Sequence, residues 1–121
     1  MTLTVYGIPN CDTVKRARAW LAERQLDYRF HDFRKEGVPE AELDRWLPAL
    51  GWESLVNRRG TTWRRLDDAT RNAVTDAASA RAALLANPSL IKRPVTDWGG
   101  AAGLSVGFDP QRWSALASVK T

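Results

Sequence analysis

The chain is poor in residues that form cross-links, because its 121 residues include one cysteine, Cys11, and one histidine, His31. A single cysteine excludes an internal disulfide, and with a single histidine it argues against a cysteine–histidine zinc site. We therefore expect no bound metal. We also expect Cys11 to remain a free thiol in a reducing compartment, the cytoplasm.

Long apolar runs are also missing from the sequence. The nearest candidate, at residues 82–86, is far shorter than the roughly 20 residues that a membrane-spanning helix needs. Residues 1–10 lack the basic start and apolar core of a secretory signal peptide. We expect neither a membrane segment nor export, and nothing in the sequence requires more than a monomer.

The net charge of +4 comes mainly from arginine. Arginine binds carboxylates and other oxyanions through two parallel hydrogen bonds. Nucleic acid is not the expected partner, because no predicted helix carries a basic face interleaved with aromatic residues. A small anion or an acidic thiol fits better. The basic clusters are Arg58–Arg59, Arg64–Arg65 and Lys92–Arg93.

The stretch around Cys11 predicts a strand, a tight turn and a helix start. An alternating apolar segment stops at Gly7, and helical spacing begins just after Asp12, the expected N-cap. A thiol at a helix start faces unpaired N–H groups and the positive end of the helix dipole, which favour the nucleophilic thiolate. Lys15 and Arg16 act in the same direction, whereas Asp12 opposes them. The alternative is that Cys11 is a small, inert buried residue.

Hydrophobic periodicity predicts strands and helices in alternation. A helix between two strands favours a right-handed parallel β-α-β unit, and two short strands joined by glycines favour a hairpin. In chain order we predict a strand at 2–6, a helix at 13–24, a strand at 28–33, a hairpin at 93–98 and 104–108, and a last helix from Asp109 and Pro110.

Residues 37–90 are expected to be entirely helical. A helix begins with Pro39 at its first position, and Pro48 is expected to kink it or to end it early. The polar, alanine-rich residues 67–86 predict a short helix followed by a longer one from Asp76. The helix that begins at Pro39 has an apolar stripe of Leu43, Trp46, Leu47 and Leu50.

Three motifs in order identify a family resemblance. They are YGIPNCDT at residues 6–13, NRRGTTWR at 57–64 and NPSLIKRP at 87–94. They resemble the arsenate reductase (ArsC)/Spx family, and the first two are most similar to its YffB-type subgroup. The resemblance covers nearly the whole chain.

The resemblance implies one ArsC-like domain over residues 1–121 with a thioredoxin-like fold. Its α/β core would comprise residues 1–36 and 91–121, with a mixed sheet and helices on both faces, in the order β-α-β, helical insertion, β-β-α. The insertion would be residues 37–90.

The resemblance also implies a site. Cys11 would be the redox nucleophile, and Arg93 would hold an anionic group near its sulfur. Pro94 would be a cis-proline that faces the site. The substrate-binding residues that the motifs imply are Arg93, Arg59, Arg58, Pro94, Asn10 and Thr13, with Arg59 matching the subgroup more clearly than Arg58.

The sequence departs from the family pattern in two places. Arsenate reductases of this family carry another arginine in the last hairpin, but here Val106 and Gly107 occupy the matching place. Many Spx-type regulators have a C-x-x-C switch, whereas here the fourth residue is Val14. Any disulfide of Cys11 must therefore form with an outside thiol.

These features favour a monothiol oxidoreductase that uses glutathione as co-substrate, with glutaredoxin as a possible second thiol donor. Two alternatives stay open. The first is an arsenate reductase proper. The second is a Spx-like adaptor that binds a protein partner such as RNA polymerase and in which Cys11 has no catalytic role.

Overall fold

The computed structural model describes residues 3–120, in two compact units. The first unit contains residues 3–36 and 93–120, and the second contains residues 37–92. In chain order the elements are β1 (Thr4–Gly7), α1 (Asp12–Glu23), β2 (Arg29–Asp32), α2 (Phe33–Glu36), α3 (Glu40–Leu50), α4 (Trp52–Leu55), α5 (Thr61–Arg65), α6 (Asp68–Asn72), α7 (Ala77–Ala86), β3 (Val95–Gly99), β4 (Gly103–Val106) and α8 (Pro110–Lys120), with 3-10 turns at Pro88–Leu90 and Gly100–Ala102. No helix in the described part of the chain is long and apolar enough to cross a membrane.

The first unit is built on a mixed four-stranded sheet with the order β2-β1-β3-β4. β1 pairs parallel with β2 and antiparallel with β3, and β3 pairs antiparallel with β4. The predicted parallel β-α-β unit and the predicted hairpin are therefore confirmed. So is the α/β class, with the thioredoxin-like order that the resemblance implies.

α1 and α8 pack on one face of this sheet through a cluster of aromatic and aliphatic side chains. Trp113 of α8 makes edge-to-face contacts with Trp98, at a centroid distance of 5.0 Å, and with Trp20, at 5.6 Å. Phe33 of α2 instead stacks on Tyr6, which alternates to the opposite face. The buried cluster on the α1 face comprises Leu3, Val5, Ala17, Trp20, Leu21, Trp98 and Trp113.

The strand boundaries differ from the prediction by one or two residues, and two of these differences have a clear physical cause. β2 ends at Asp32 rather than at residue 33, because the Asp32 carboxylate accepts the Arg34 N–H at 2.9 Å and starts the turn of α2. β3 begins at Val95 rather than at residue 93, since Pro94 has no N–H to offer to a ladder. The last helix starts where predicted, with the Asp109 carboxylate accepting the Gln111 N–H at 3.1 Å.

The second unit is helical, as predicted. The prediction did not include its isolated β-bridge between Val56 and Ile91. Pro39 is the N-cap of α3 rather than its first residue. Of the two outcomes expected at Pro48, the early end is wrong, because α3 continues to Leu50, and the kink stays a prediction. Pro48 lies in the last turn, where it removes one hydrogen bond, and the helix still closes with the Gly51 N–H bonded to Leu47 at 2.9 Å.

The two later helices of this unit begin where their capping residues predict. Asp67 accepts the Thr70 N–H at 2.7 Å at the start of α6. Asp76 and Ser79 form a reciprocal capping box at the start of α7. Such caps satisfy backbone donors that a helix start would otherwise leave unpaired.

We expect Ser105→Ala to destabilise the protein by about 1–3 kcal/mol, the cost of leaving a buried donor unsatisfied. The Ser105 hydroxyl accepts the Trp98 indole N–H at 2.9 Å, and both residues are buried. Urea denaturation measures the change. Ser114→Ala, at an exposed position of α8, is the matched control and should be nearly neutral. A Ser105→Ala protein as stable as this control would contradict the prediction.

Candidate active site

Cys11 is itself the N-cap of α1, so the expectation that Asp12 would cap this helix is wrong. The Cys11 backbone is extended, with φ −110° and ψ 126°, and Asp12 is the first helical residue. The Cys11 carbonyl accepts the Lys15 N–H at 2.9 Å, which is the first hydrogen bond of the helix. The thiol therefore occupies the position at which a helix exposes its unpaired N–H groups.

The surroundings of the sulfur lower the pKa of the Cys11 thiol. Partial burial alone would raise this pKa, but four attractive contributions outweigh it: the Val14 N–H, the hydrogen bond and the positive charge of the Arg93 side chain, and the Thr13 N–H. The two N–H groups act through the electrostatics of the first turn, since the side chain makes no capping hydrogen bond of standard geometry. Cys11 is partly exposed and is not in a disulfide. It has the environment of a reactive thiol.

Gly7 allows α1 to start close to the sheet. A Cβ atom built on Gly7 would lie 2.9 Å from Cγ2 of Val14, which is too close for two non-bonded carbon atoms. The Val14 side chain, which makes this contact, is completely buried. The absence of a side chain at Gly7 therefore helps to hold the first turn, and with it Cys11, against the end of β1.

The pairing of β1 with β3 carries Arg93 to the thiol. Tyr6 is paired with Val95, so Pro94 and Arg93 continue from the end of β3 that adjoins the loop leading to Cys11. The Arg93–Pro94 peptide bond is cis, as the resemblance implies. Pro94 is buried, and its carbonyl accepts the Gly107 N–H at 2.9 Å.

The first unit therefore brings together several of the expected site residues. The Arg93 side chain and the Thr13 N–H lower the pKa of the thiol, and Pro94 follows Arg93 directly. Asn10 is exposed and precedes Cys11 in the chain. The binding of substrate by these residues stays a prediction.

Arg58 and Arg59 lie in the second unit, where they line a groove of about 390 Å³ together with Lys92. Arg58 approaches Glu53 at 3.7 Å, whereas Arg59 is exposed and its N–H donates to the Asn57 side chain at 3.2 Å. Their role in substrate binding also stays a prediction. Lys92 lies in the motif at residues 87–94 and forms a basic pair with Arg93, but neither feature predicts that it lines this groove.

Gly60 leaves room for the Asn57 side chain in this turn. A Cβ atom built on Gly60 would lie 2.7 Å from Nδ2 of Asn57. A larger residue would displace the Asn57 side chain, which holds the backbone of Arg59. The glycine of the NRRG motif thus maintains the turn that presents both arginines.

The end of the last hairpin carries no cation. Val106 ends β4, and Gly107 follows it with a φ of +82°. An arginine at residue 107 would be strained there, since side chains other than glycine disfavour positive φ. Val106 is partly exposed and is the position of this pair that could accept a longer side chain.

The described residues contain no group of three or more histidine, cysteine, aspartate or glutamate side chains that could hold a metal ion. His31 lies within the sheet. Its ring is 5.0 Å from that of Tyr6, and its Nδ1 atom is 3.8 Å from the Glu36 carboxylate. The chemistry available at the site is therefore that of the thiol and its arginine.

Comparison with known proteins supports the family resemblance. The ArsC family model matches residues 6–116. The solved structure of a YffB protein is 45% identical with a TM-score of 0.88, covering 95% of this chain and 98% of its own. That of an arsenate reductase (ArsC) related protein from Brucella melitensis is 50% identical with a TM-score of 0.72, covering 95% and 93%.

A regulator is among the more distant relatives. The global transcriptional regulator Spx of Streptococcus pyogenes serotype M3 is 28% identical over 96 residues, which are 77% of this chain and 69% of Spx. The relatives therefore include both arsenate-reductase-like proteins and a regulator, as the motifs implied.

We expect Cys11 to titrate below the ordinary thiol value of about 8.5, because Arg93 and the first-turn N–H groups stabilise its thiolate. The rate of alkylation by iodoacetamide as a function of pH measures this pKa. Arg93→Ala should move the midpoint upward, whereas Arg112→Ala, at an exposed residue of α8, should not. A wild-type midpoint at or above 8.5 would contradict the nucleophile hypothesis.

Proposed function

Because the chain belongs to the ArsC family, we propose that it is a glutathione-linked monothiol oxidoreductase in which Cys11 is the nucleophile. One observation carries the proposal. The only thiol of the chain sits at the start of a helix, where the Arg93 side chain and the first-turn N–H groups lower its pKa. The family as a whole supports thiol oxidoreductase chemistry. The glutathione linkage and the single-cysteine cycle are the proposed part.

The first half of the cycle is a thiol–disulfide exchange. The Cys11 thiolate attacks one sulfur of a glutathione disulfide, so that a new S–S bond forms to Cys11 and the other sulfur leaves as a thiolate. Arg93 has two tasks in this step. Before the attack it stabilises the Cys11 thiolate, and in the adduct its guanidinium binds a glutathione carboxylate.

The second half requires a thiol from outside the protein, since no second cysteine exists in the chain. Glutathione or a glutaredoxin attacks the mixed disulfide, and Cys11 leaves as the thiolate that the site stabilises. A low pKa makes Cys11 a good leaving group as well as a nucleophile. The cycle needs no metal and no bound cofactor, only a reduced thiol pool such as that of the cytoplasm.

A second candidate function is protein-binding regulation, which is favoured by the identity to Spx. An adaptor has no need for an acidic thiol, so the pKa of Cys11 separates the two hypotheses. The position of Val14 argues against the C-x-x-C form of regulation, because that position would hold the second thiol and is a buried valine here.

We expect Arg93→Ala to slow the formation of the Cys11 mixed disulfide more with oxidised glutathione than with neutral hydroxyethyl disulfide. Charge-assisted hydrogen bonds contribute about 1.5–3 kcal/mol, so the selective loss should be roughly ten- to a hundredfold. Intact-mass spectrometry measures each rate, and Cys11→Ser should abolish both adducts. Arg59→Ala should give a smaller and salt-sensitive loss, because Arg59 is exposed.

Two outcomes would contradict this role of Arg93. Equal slowing with both disulfides would mean that Arg93 acts only on the acidity of the thiol. No slowing with either would remove it from the site.

We expect arsenate reduction with glutathione and glutaredoxin to be weak, because the last hairpin supplies no arginine for a multiply charged oxyanion. Val106→Arg should increase turnover by at least about tenfold, the scale of one charge-assisted hydrogen bond. Gly107→Arg is the matched control. It adds the same charge at a backbone with φ +82° and should help less. Rapid arsenate turnover by the wild-type protein would instead favour an arsenate reductase proper.

A further inference from the structure

Basic side chains flank Cys11 on the end of the sheet where β1 finishes. β1 and β2 are parallel, so their carboxyl ends lie together, and Gly7 is paired with Asp32. Cys11 follows the inner strand β1, whereas Arg34 and Lys35 follow the neighbouring edge strand β2. Arg93 precedes β3 on the other side of β1. The segments that carry these cations therefore adjoin, on both sides, the end of β1 that leads to Cys11.

Four cations on this end are open to solvent. Lys15 and Arg16 lie in the first turns of α1, and Arg34 and Lys35 lie in α2; all four are exposed. Within residues 3–120, no side-chain ion pair joins any of them to a carboxylate. We refer to Lys15, Arg16, Arg34 and Lys35 as the cationic rim.

Two of the nearby carboxylates are already engaged. Asp32 is buried and accepts the Arg34 N–H. Glu36 bonds the Arg29 guanidinium at 3.4 Å and accepts the Asp32 N–H at 3.2 Å. Asp12 at the start of α1 is exposed and offsets part of the rim. Among the described residues of the first unit, this surface therefore keeps an excess of positive charge that Asp12 offsets only in part.

We propose that the cationic rim docks an acidic polypeptide segment that carries the disulfide exchanging with Cys11. The proposal rests on the proposed function and names its substrate class, a protein disulfide with acidic residues on both sides of the reacting cysteine. The rim spans two elements, α1 and α2, so a chain with several acidic residues can contact more of it than glutathione can. Nucleic acid is less suited to this surface, because its phosphates would satisfy the cations without using the thiol.

The reaction on this surface is the same exchange. The Cys11 thiolate attacks the sulfur of the segment's cysteine, a Cys11–segment disulfide forms, and the second sulfur of the substrate leaves as a thiolate. A reduced thiol such as glutathione then releases the segment. Complementary charge raises the rate of encounter rather than the chemical reactivity of the sulfur. Salt weakens this electrostatic attraction.

Three synthetic peptides test the docking surface. Each carries one cysteine as a 2-pyridyl disulfide, flanked by glutamates, serines or lysines, and attack by Cys11 releases 2-thiopyridone, which absorbs light. At low ionic strength the acidic peptide should react at least about tenfold faster than the neutral one, and the basic peptide should react more slowly. The ratio of acidic to neutral rates should approach one as salt is added.

The ratio of acidic to neutral rates also separates the effect of the rim from that of the thiol in variants. A change in the acidity of Cys11 alters both rates equally and leaves their ratio unchanged. Lys35→Glu should lower the ratio by at least about threefold. Arg24→Glu makes the same change in charge at the far end of α1, on an exposed arginine stacked over Trp20, and should leave the ratio unchanged. Binding of a dansyl-labelled glutamate peptide to Cys11→Ser should likewise weaken in Lys35→Glu.

The outcomes separate the two proposals. Equal rates with all three peptides, or a ratio that Lys35→Glu leaves unchanged, would overturn the docking surface while the oxidoreductase function stood. A failure of all three peptides to react would overturn the function itself. A ten-residue oligothymidine that inhibits at lower concentration than the free acidic peptide would assign the rim to nucleic acid and overturn the proposal.

Discussion

The antiparallel pairing of β1 with β3 is the constraint on which the site depends. Cys11 and Arg93 are far apart in the chain, and their contact exists because Tyr6 pairs with Val95. A shift of this register by one residue would turn each β3 side chain to the other face of the sheet. Trp98 would then leave the core that it forms with Trp113, so the aromatic core and the position of Arg93 depend on the same register.

Local features of this protein could be predicted from the sequence because they depend on neighbouring residues. Asp67 and Asp76 cap their helices as their side chains suggest, and the alternation around Val5 marks a strand. The N-cap of α1 was misplaced by one residue, because Cys11 and Asp12 are adjacent and hydrophobic spacing does not distinguish them. Pro48 does not end its helix early, because the cost of a proline depends on its distance from the end of the helix, which the pattern does not define.

The candidate site itself could be predicted only through the family resemblance. No periodicity connects Cys11 with Arg93, since their proximity depends on the pairing of β1 with β3, two segments that are far apart in the sequence. Lys92 lies beside Arg93 in the sequence but lines the groove of Arg58 and Arg59 in the second unit. The conformation at Gly107 could not be predicted from the sequence either, because a positive φ depends on the turn that follows β4 and not on the glycine alone.

Val14 occupies the place of a second active-site cysteine, completely buried against the end of β1, and this has a consequence for redox behaviour. A protein with two thiols exchanges both with glutathione, so its oxidation depends on the square of the glutathione concentration. In the proposed cycle, in which Cys11 acts alone, one glutathione is released for each disulfide consumed. The occupancy of the mixed disulfide then follows the simple ratio of oxidised to reduced glutathione, and dilution of the whole pool leaves it unchanged.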